Sequence, residues 1–348
     1  MSADEPDVHG DVHARGARHD FAVNVVAAAP PPWLRAALQH ALDHDAAAYP
    51  DETRAVAAVA ERHGRAPEEV VLLNGAAQGF GLLADVLQPA RPVAVHPQFS
   101  EPERTMRTAR ATLAEPWHLE DRPDVVPADA DLVVLGNPTN PTGVLHPAAA
   151  VRRLARPGRT LVVDEAFMDF VAGEPETLAQ DTTTPGLVVL RSLTKLLGIP
   201  GIRAGYLLAP PELAARLRRR RPAWSVNALA LAAIEAAMGH PEHAHAIAAQ
   251  TALARRELVG RLESIAGVRV HAGAANFLLL ELPDARRAVQ RLKQEHGVAV
   301  RPAWTFPGLG ADHVRVAVRG APADDALVAA VASVLTTAGG RSPAPFVG

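Results

Sequence analysis

The chain of 348 residues contains no cysteine. That removes disulfides, cysteine–zinc sites, iron–sulfur clusters and thiol nucleophiles at once. It has only two lysines, Lys195 and Lys293, against 33 arginines, and only two tyrosines, Tyr49 and Tyr206. No stretch of about 18 apolar residues is free of charge and proline, which excludes a hydrophobic membrane helix. The first 20 residues are polar and His-rich and lack the apolar centre of a secretory signal, so a cytoplasmic location is expected. A net charge of −3 argues against a nucleic-acid partner. What remains, 48% hydrophobic and 21% charged, is globular material with a large core, long enough for about two domains of ~150 residues.

The lysine scarcity is informative. Arginine cannot replace lysine where the amine must lose its proton, because the guanidinium stays charged. Lys195 is followed by Leu196-Leu197-Gly198-Ile199-Pro200, an apolar setting in which a lysine becomes a nucleophile. Lys293, between Arg291 and Glu295, reads as solvated.

Apolar β-branched runs at 92–95, 132–135, 160–163, 187–190 and 204–208 predict strands. They are continuous rather than alternating, which indicates burial on both faces of a parallel α/β sheet. Right-handed crossovers bring the strand C-terminal ends to one edge, where such sheets bind ligands. Before them the pattern predicts a strand at 21–26, helices at 33–44 and 53–63, and a strand at 70–73. After Pro210-Pro211 it changes. Helices are expected at 212–221, 228–238, 241–265, 285–296 and 323–337, with strands at 268–271, 277–281, 298–301 and 313–318. The implied organisation is a flexible segment 1–20, a large domain 21–240 whose first residues can pack on the other domain, a smaller α+β domain 241–337, and a flexible tail 338–348.

Three strand ends carry polar residues that a plain turn does not require. Gly136-Asn137-Pro138-Thr139-Asn140-Pro141-Thr142-Gly143 follows one, Asp164-Glu165-Ala166-Phe167 another, and Arg191-Ser192-Leu193-Thr194-Lys195 the third, with Arg203 eight residues on. Singly these read as a double turn and helix caps. Together they suit pyridoxal phosphate, which forms a Schiff base with a lysine and pairs its ring nitrogen with a carboxylate. In that reading Lys195 bonds the cofactor, Asp164 faces the ring nitrogen and Asn140 donates to the ring oxygen. Ser192, Thr194 and Arg203 hold the phosphate. Gly75, Ala76 and Ala77, where a helix opens, add backbone amides, and Phe99 stacks on the ring.

These three motifs, in this order and spacing, resemble the fold-type I, class I/II aminotransferase superfamily over about residues 20–335. The resemblance implies a pyridoxal-phosphate-dependent transferase fold, with a mostly parallel sheet in the large domain and a smaller C-terminal domain. It also implies a homodimer with shared sites, because Tyr49-Pro50 matches a pair that reaches the partner subunit's cofactor phosphate. Among its groups the chain is similar to threonine-phosphate decarboxylases of cobalamin biosynthesis and to histidinol-phosphate aminotransferases. The segments His9-Gly10-Asp11, Asp20-Phe21-Ala22-Val23-Asn24 and Arg315-Val316-Ala317-Val318-Arg319 resemble the decarboxylases, and Phe167 stands where the aminotransferases usually have tyrosine. The expected reaction is therefore decarboxylation of phosphothreonine to aminopropanol phosphate, with a histidinol-phosphate-type aminotransferase using 2-oxoglutarate as the alternative. The substrate is a small phosphorylated amino acid, bound by Arg301, Arg315, Asn24, His9 and Asn140. A ligand-sensing domain of the same fold is the non-enzymatic alternative, disfavoured because Lys195 is retained. Of His240, His243 and His245, the last two are two residues apart on a helix and point apart, and no carboxylate is fitted to them, so a solvated face rather than a metal is expected.

Overall fold

The computed structural model describes residues 10–26, 29–122 and 124–336. Thirteen strands run through it in chain order. They are β1 (His19–Asp20), β2 (Val70–Asn74), β3 (Pro92–His96), β4 (Ala109–Thr112), β5 (Leu132–Gly136), β6 (Thr160–Asp164) and β7 (Leu187–Ser192). Then come β8 (Ala204–Leu208), β9 (Arg269–His271), β10 (Phe277–Glu281), β11 (Val298–Ala299), β12 (Arg301–Pro302) and β13 (His313–Ala317).

Seven strands form one sheet in the order β2-β8-β7-β6-β5-β3-β4. The pairs β3–β4, β3–β5, β5–β6 and β6–β7 are parallel, whereas β8 is antiparallel to both neighbours. The continuous apolar runs serve two faces. Val133, Leu135, Leu161, Val163 and Val189 pack toward the helices Thr53–His63 and Ala228–Met238. Leu132, Val134, Val162, Val188 and Leu190 pack toward Gln78–Leu87 and Pro211–Arg220. A period of two with both faces covered requires this apolar continuity.

The second sheet, β12-β13-β10-β9, is antiparallel. Leu278, Leu280, Val314 and Val316 pack there with Leu258 and Leu262 of the long helix Pro241–Glu263 and with Leu292, Leu327 and Val331.

Four expectations need correction. The 204–208 strand is not parallel: only eleven residues separate Ser192 from Ala204, too few for a crossover helix, so the chain turns straight back. Residues 21–26 form no strand; their carbonyls are held by a side chain instead. Arg319 donates to the carbonyls of Asp20, Val23 and Val25. The first segment is not uniformly irregular: Gly10–Ala14 is helical and β1 pairs with β11. The expected 298–301 strand is two short strands in different sheets. Strand β4, too polar in pattern to stand out, was not anticipated. Residues 1–9 and 337–348 lie outside the described residues, so His9 and the tail are not placed.

A buried ion cluster braces β6 and β7. Arg191 on β7 is 1% exposed. Its guanidinium binds Glu165 at 3.0 Å, Asp169 at 2.6 Å and Glu174 at 2.8 Å. Glu165 also accepts from the Thr177 hydroxyl and the Leu178 amide, both at 2.7 Å. Asp164 and Ser192 are thus carried on strand ends fastened from behind.

Candidate active site

The C-terminal ends of β2, β3, β5, β6 and β7 and the N-terminal end of β8 meet at one edge, above which lies a cavity of about 560 Å³. Its walls include Ala76, Ala77, Phe99, Asn140, Asp164, Ser192, Thr194, Lys195 and Arg203 from this edge. The small sheet contributes Arg301 and Arg315, and the N-terminal segment contributes Asn24. The antiparallel course of β8 is what returns Arg203 to this edge.

Lys195 and Asp164 are half-buried, their open side being the cavity. Burial, helped by the charges of Arg315 and Arg203, draws the Lys195 ammonium down to about 8, against a smaller pull from Asp164. Burial pushes Asp164 up to about 6, while an Ala166 amide donating to its Oδ1 at 3.1 Å and nearby Lys195 hold it back. That hydrogen bond occupies one carboxylate oxygen and leaves Oδ2 as the atom that would pair with a protonated ring nitrogen.

The anion cradle is equally specific. Gly75 has φ of 77°, and a Cβ there would lie 2.2 Å from Arg203 Nη2. Only glycine lets the guanidinium rest against this turn. The Ala76 and Ala77 amides precede the first turn of the helix Gln78–Leu87 and donate to no carbonyl among the described residues, so they are open to an anion. The hydroxyls of Ser192 and Thr194 lie 2.8 Å apart. Two hydroxyls, two amides and a guanidinium beside a nucleophilic lysine and a carboxylate fit pyridoxal phosphate.

Asn140 Oδ1 accepts from Arg315 Nη1 at 2.5 Å. Its Nδ2 is thereby turned outward as a donor, the role the ring oxygen needs. Arg315 Nη2 donates to the Ala22 carbonyl at 2.5 Å, and its guanidinium lies over the Phe277 ring. Arg301 donates to His13 Nε2 at 3.0 Å and lies over Phe306. Both arginines are 4% exposed, and neither has a carboxylate within ion-pair distance among the described residues. Burial lowers Arg301 to about 10 and Arg315 to about 9, a measure of how poorly the two charges are solvated. Asn24 Nδ2 is buried without a partner. Unpaired buried donors and cations on one cavity wall call for an anionic ligand.

Tyr49 is not at this cavity within its own chain. It is 77% exposed and stacked on Trp224 at 4.3 Å. Lys293 is not simply solvated either: its Nζ donates to the His13 carbonyl at 2.8 Å. The sequence reading missed His13, whose neutral ring, drawn down to about 4 mainly by burial, accepts from Arg301. It also missed Gln98, Glu101, Gly10 and Asp11 as wall residues. Gly10 and Asp11 stood in a segment that resembles the decarboxylases but were given no role, and the spacing of a short N-terminal helix carries no periodic signal by which His13 could have been found.

No helix among the described residues is long and apolar enough to cross a membrane. The family model for aminotransferase class I and II matches residues 19–335. A histidinol-phosphate aminotransferase of Mycobacterium tuberculosis is 46% identical over 96% of this chain and 92% of its own length. The threonine-phosphate decarboxylase of Salmonella typhimurium is 32% identical over 79% of each chain. The fold is also that of the histidinol-phosphate aminotransferase of Sinorhizobium meliloti, solved in complex with pyridoxal-5'-phosphate. That likeness has a TM-score of 0.83 at 23% identity, covering 96% of this chain and 95% of the other. Motifs, sheet, cradle and relatives agree, and the chain belongs to the pyridoxal-phosphate-dependent class I and II aminotransferase family, with its fold-type I architecture.

Proposed function

We propose that the protein is a cytoplasmic aminotransferase of the histidinol-phosphate type, passing an amino group from a phosphorylated amine to 2-oxoglutarate. The observation that carries an anionic substrate is the pair of buried, carboxylate-free guanidiniums, Arg301 and Arg315. Relatives named histidinol-phosphate aminotransferases, at 46% identity, support transfer over decarboxylation, the expectation from the motifs alone. An amino donor with one phosphate uses one guanidinium, and an oxo acid with two carboxylates uses both, so the same wall serves each half of a transfer.

Pyridoxal phosphate supplies an aldehyde and an electron-withdrawing ring that labilises bonds at an amine's α-carbon. The chain's own residues do the rest. Asp164 holds the ring nitrogen protonated. Lys195 Nζ, neutral in a useful fraction near neutral pH because of its depressed pKa, moves the proton at the substrate's α-carbon. Arg301, Arg315 and Asn24 orient the anions and so choose which α-carbon bond stands perpendicular to the ring.

Decarboxylation is kept as a second reading on one observation: Phe167 lines the cavity where a tyrosine would donate to the ring oxygen. Histidinol phosphate and phosphothreonine are to be assayed separately, each with and without 2-oxoglutarate. The transfer reading expects glutamate from histidinol phosphate only when the oxo acid is present. Repeated turnovers on phosphothreonine alone, releasing carbon dioxide, would replace it with the decarboxylase.

Two substitutions probe the site. Arg301→Ala leaves one substrate anion unpaired and should lower kcat/KM by roughly 30- to 1000-fold, about 2–4 kcal/mol, while cofactor loading is unchanged. A loss below about threefold would make Arg301 a structural cation. We further place Tyr49 in the partner subunit's phosphate site of a homodimer. Tyr49→Phe should weaken cofactor binding by about 1.5–3 kcal/mol, the worth of one hydrogen bond to a charged group. Full specific activity in a monomer would contradict this.

A further inference from the structure

A second cluster of ligating side chains sits on the antiparallel sheet, outside the cavity. Strand pairing sets Glu281 of β10 directly opposite His313 of β13 and Arg269 of β9, with His271 two residues beyond Arg269 on the same face. Both imidazoles turn Nε2 toward one oxygen: His271 Nε2 is 2.6 Å and His313 Nε2 3.6 Å from Glu281 Oε1. The rings lie 5.9 Å apart and 21° from parallel, and Trp117 covers both edge-on.

An ordinary hydrogen-bonded cluster explains one of these imidazoles and not the other. A single carboxylate oxygen takes the His271 proton, and 3.6 Å is too long for a second bond. His313 Nε2 is therefore buried with no hydrogen-bond partner, a feature that asks for a ligand. On the far side, His313 Nδ1 lies 3.3 Å from the Gly310 carbonyl and 3.2 Å from the Gly310 amide nitrogen; the tautomer that frees Nε2 for a ligand is the one that donates to the carbonyl. A histidine that binds a metal characteristically offers its other N–H to a carbonyl or carboxylate behind it.

We propose that His271, Glu281 and His313 bind a divalent transition ion of the zinc class, with solvent at the fourth position. Two imidazoles and one carboxylate are a donor set that such ions favour. The three ligand atoms lie within 4.8 Å of one another. Tetrahedral bonds of about 2.0–2.1 Å require separations of about 3.3 Å, so the His271–Glu281 contact must open while the His313 ring moves slightly inward from 3.6 Å. Arg269, 61% exposed and 3.2 Å from Glu281, must release that carboxylate, and its second partner, Glu115, remains to hold it. The ion would sit on the small sheet, beside the Trp117 ring that packs on both histidines. It is separate from the proposed transfer chemistry.

Holoenzyme treated with a chelator and dialysed is titrated with zinc by calorimetry and with cobalt(II) by visible absorption. One equivalent per chain is expected, with the intense absorption of four-coordinate cobalt. His271→Gln and His313→Gln should each weaken binding at least about tenfold and abolish the zinc-induced rise in thermal midpoint. His240→Gln/His243→Gln, on a histidine cluster packed at Trp33, should bind as wild type. No stoichiometric binding by wild type, or undiminished binding in either His271 or His313 variant, would overturn the proposal. Because the cobalt spectrum is read on wild type, a poorly folding variant does not rescue it.

Discussion

Lys195→Ala is expected to lower kcat by at least about four orders of magnitude, because in the proposed function one amine both bonds the cofactor and moves the substrate proton. The fold should survive, since the side chain's head lies in the cavity rather than in the core. Lys195→Arg is the sharper variant. It keeps a cation of similar reach beside Asp164 and fits a chain that otherwise prefers arginine 33 to 2. A guanidinium cannot shed its proton, so activity should be lost equally. The pH dependence follows from the same group. With its pKa drawn to about 8 by burial, the free amine fraction grows as pH rises through that value. Condensation of apoenzyme with pyridoxal phosphate should therefore accelerate from pH 6.5 to pH 8 and level off above it. A flat profile would deny Lys195 the role, as would Lys195→Arg retaining more than about a tenth of wild-type turnover.

Arg191→Met is expected to cost about 3–5 kcal/mol of stability, the characteristic penalty for removing one partner of a buried ion cluster. Three carboxylates converge on this guanidinium, and burial already raises Glu165 and Asp169 while Arg191 pulls them down. Without it those two acids take up protons in the folded state at pH values where the unfolded chain holds none. Groups raised in this way lose stability as pH rises. The variant should thus be closest to wild type near pH 5 and furthest from it near pH 8. Denaturant unfolding at the two pH values reads this directly. A penalty under about 1 kcal/mol at pH 8, or one that grows toward pH 5, would contradict the picture. A secondary loss of cofactor affinity is also expected, because the cluster fastens the strand ends that carry Asp164 and Ser192.

The parts of the site set by local chemistry were legible in the sequence. Lys195, Asp164, Asn140, Ser192 and Thr194 each follow an apolar run that must be a buried strand, and such runs in a parallel sheet deliver their C-terminal ends to one edge; Arg203 was legible only from its spacing after Lys195, since the reversal of β8 is what brings it there. The glycine at 75 was readable for the same reason: a turn opening a helix beside an anion needs an unhindered backbone. What stayed hidden depends on contacts without sequence periodicity. Residues 21–26 look like a strand because they are apolar, yet Arg319, nearly 300 residues away, claims their carbonyls and bends them over the cavity. His13 reaches Arg301 only because β1 pairs with β11, a two-residue ladder that no propensity announces. The reversed direction of β8 was implicit in the eleven residues before it, but apolar continuity alone does not distinguish parallel from antiparallel. Choice of reaction was least legible, because under the proposed function it depends on the angle at which Arg301 and Arg315 would hold the substrate rather than on which residues are present.

Borohydride reduction of the holoenzyme, followed by proteolysis and mass mapping of the cofactor-bearing peptide, tests the central claim most directly. Only two lysines exist in the chain, so the outcome is unambiguous. The label is predicted on Lys195, stoichiometric with bound cofactor, together with loss of the visible band near ~420 nm that the lysine-linked cofactor gives. A label on Lys293, whose Nζ is hydrogen-bonded to the His13 carbonyl, or no covalent label at all, would contradict it.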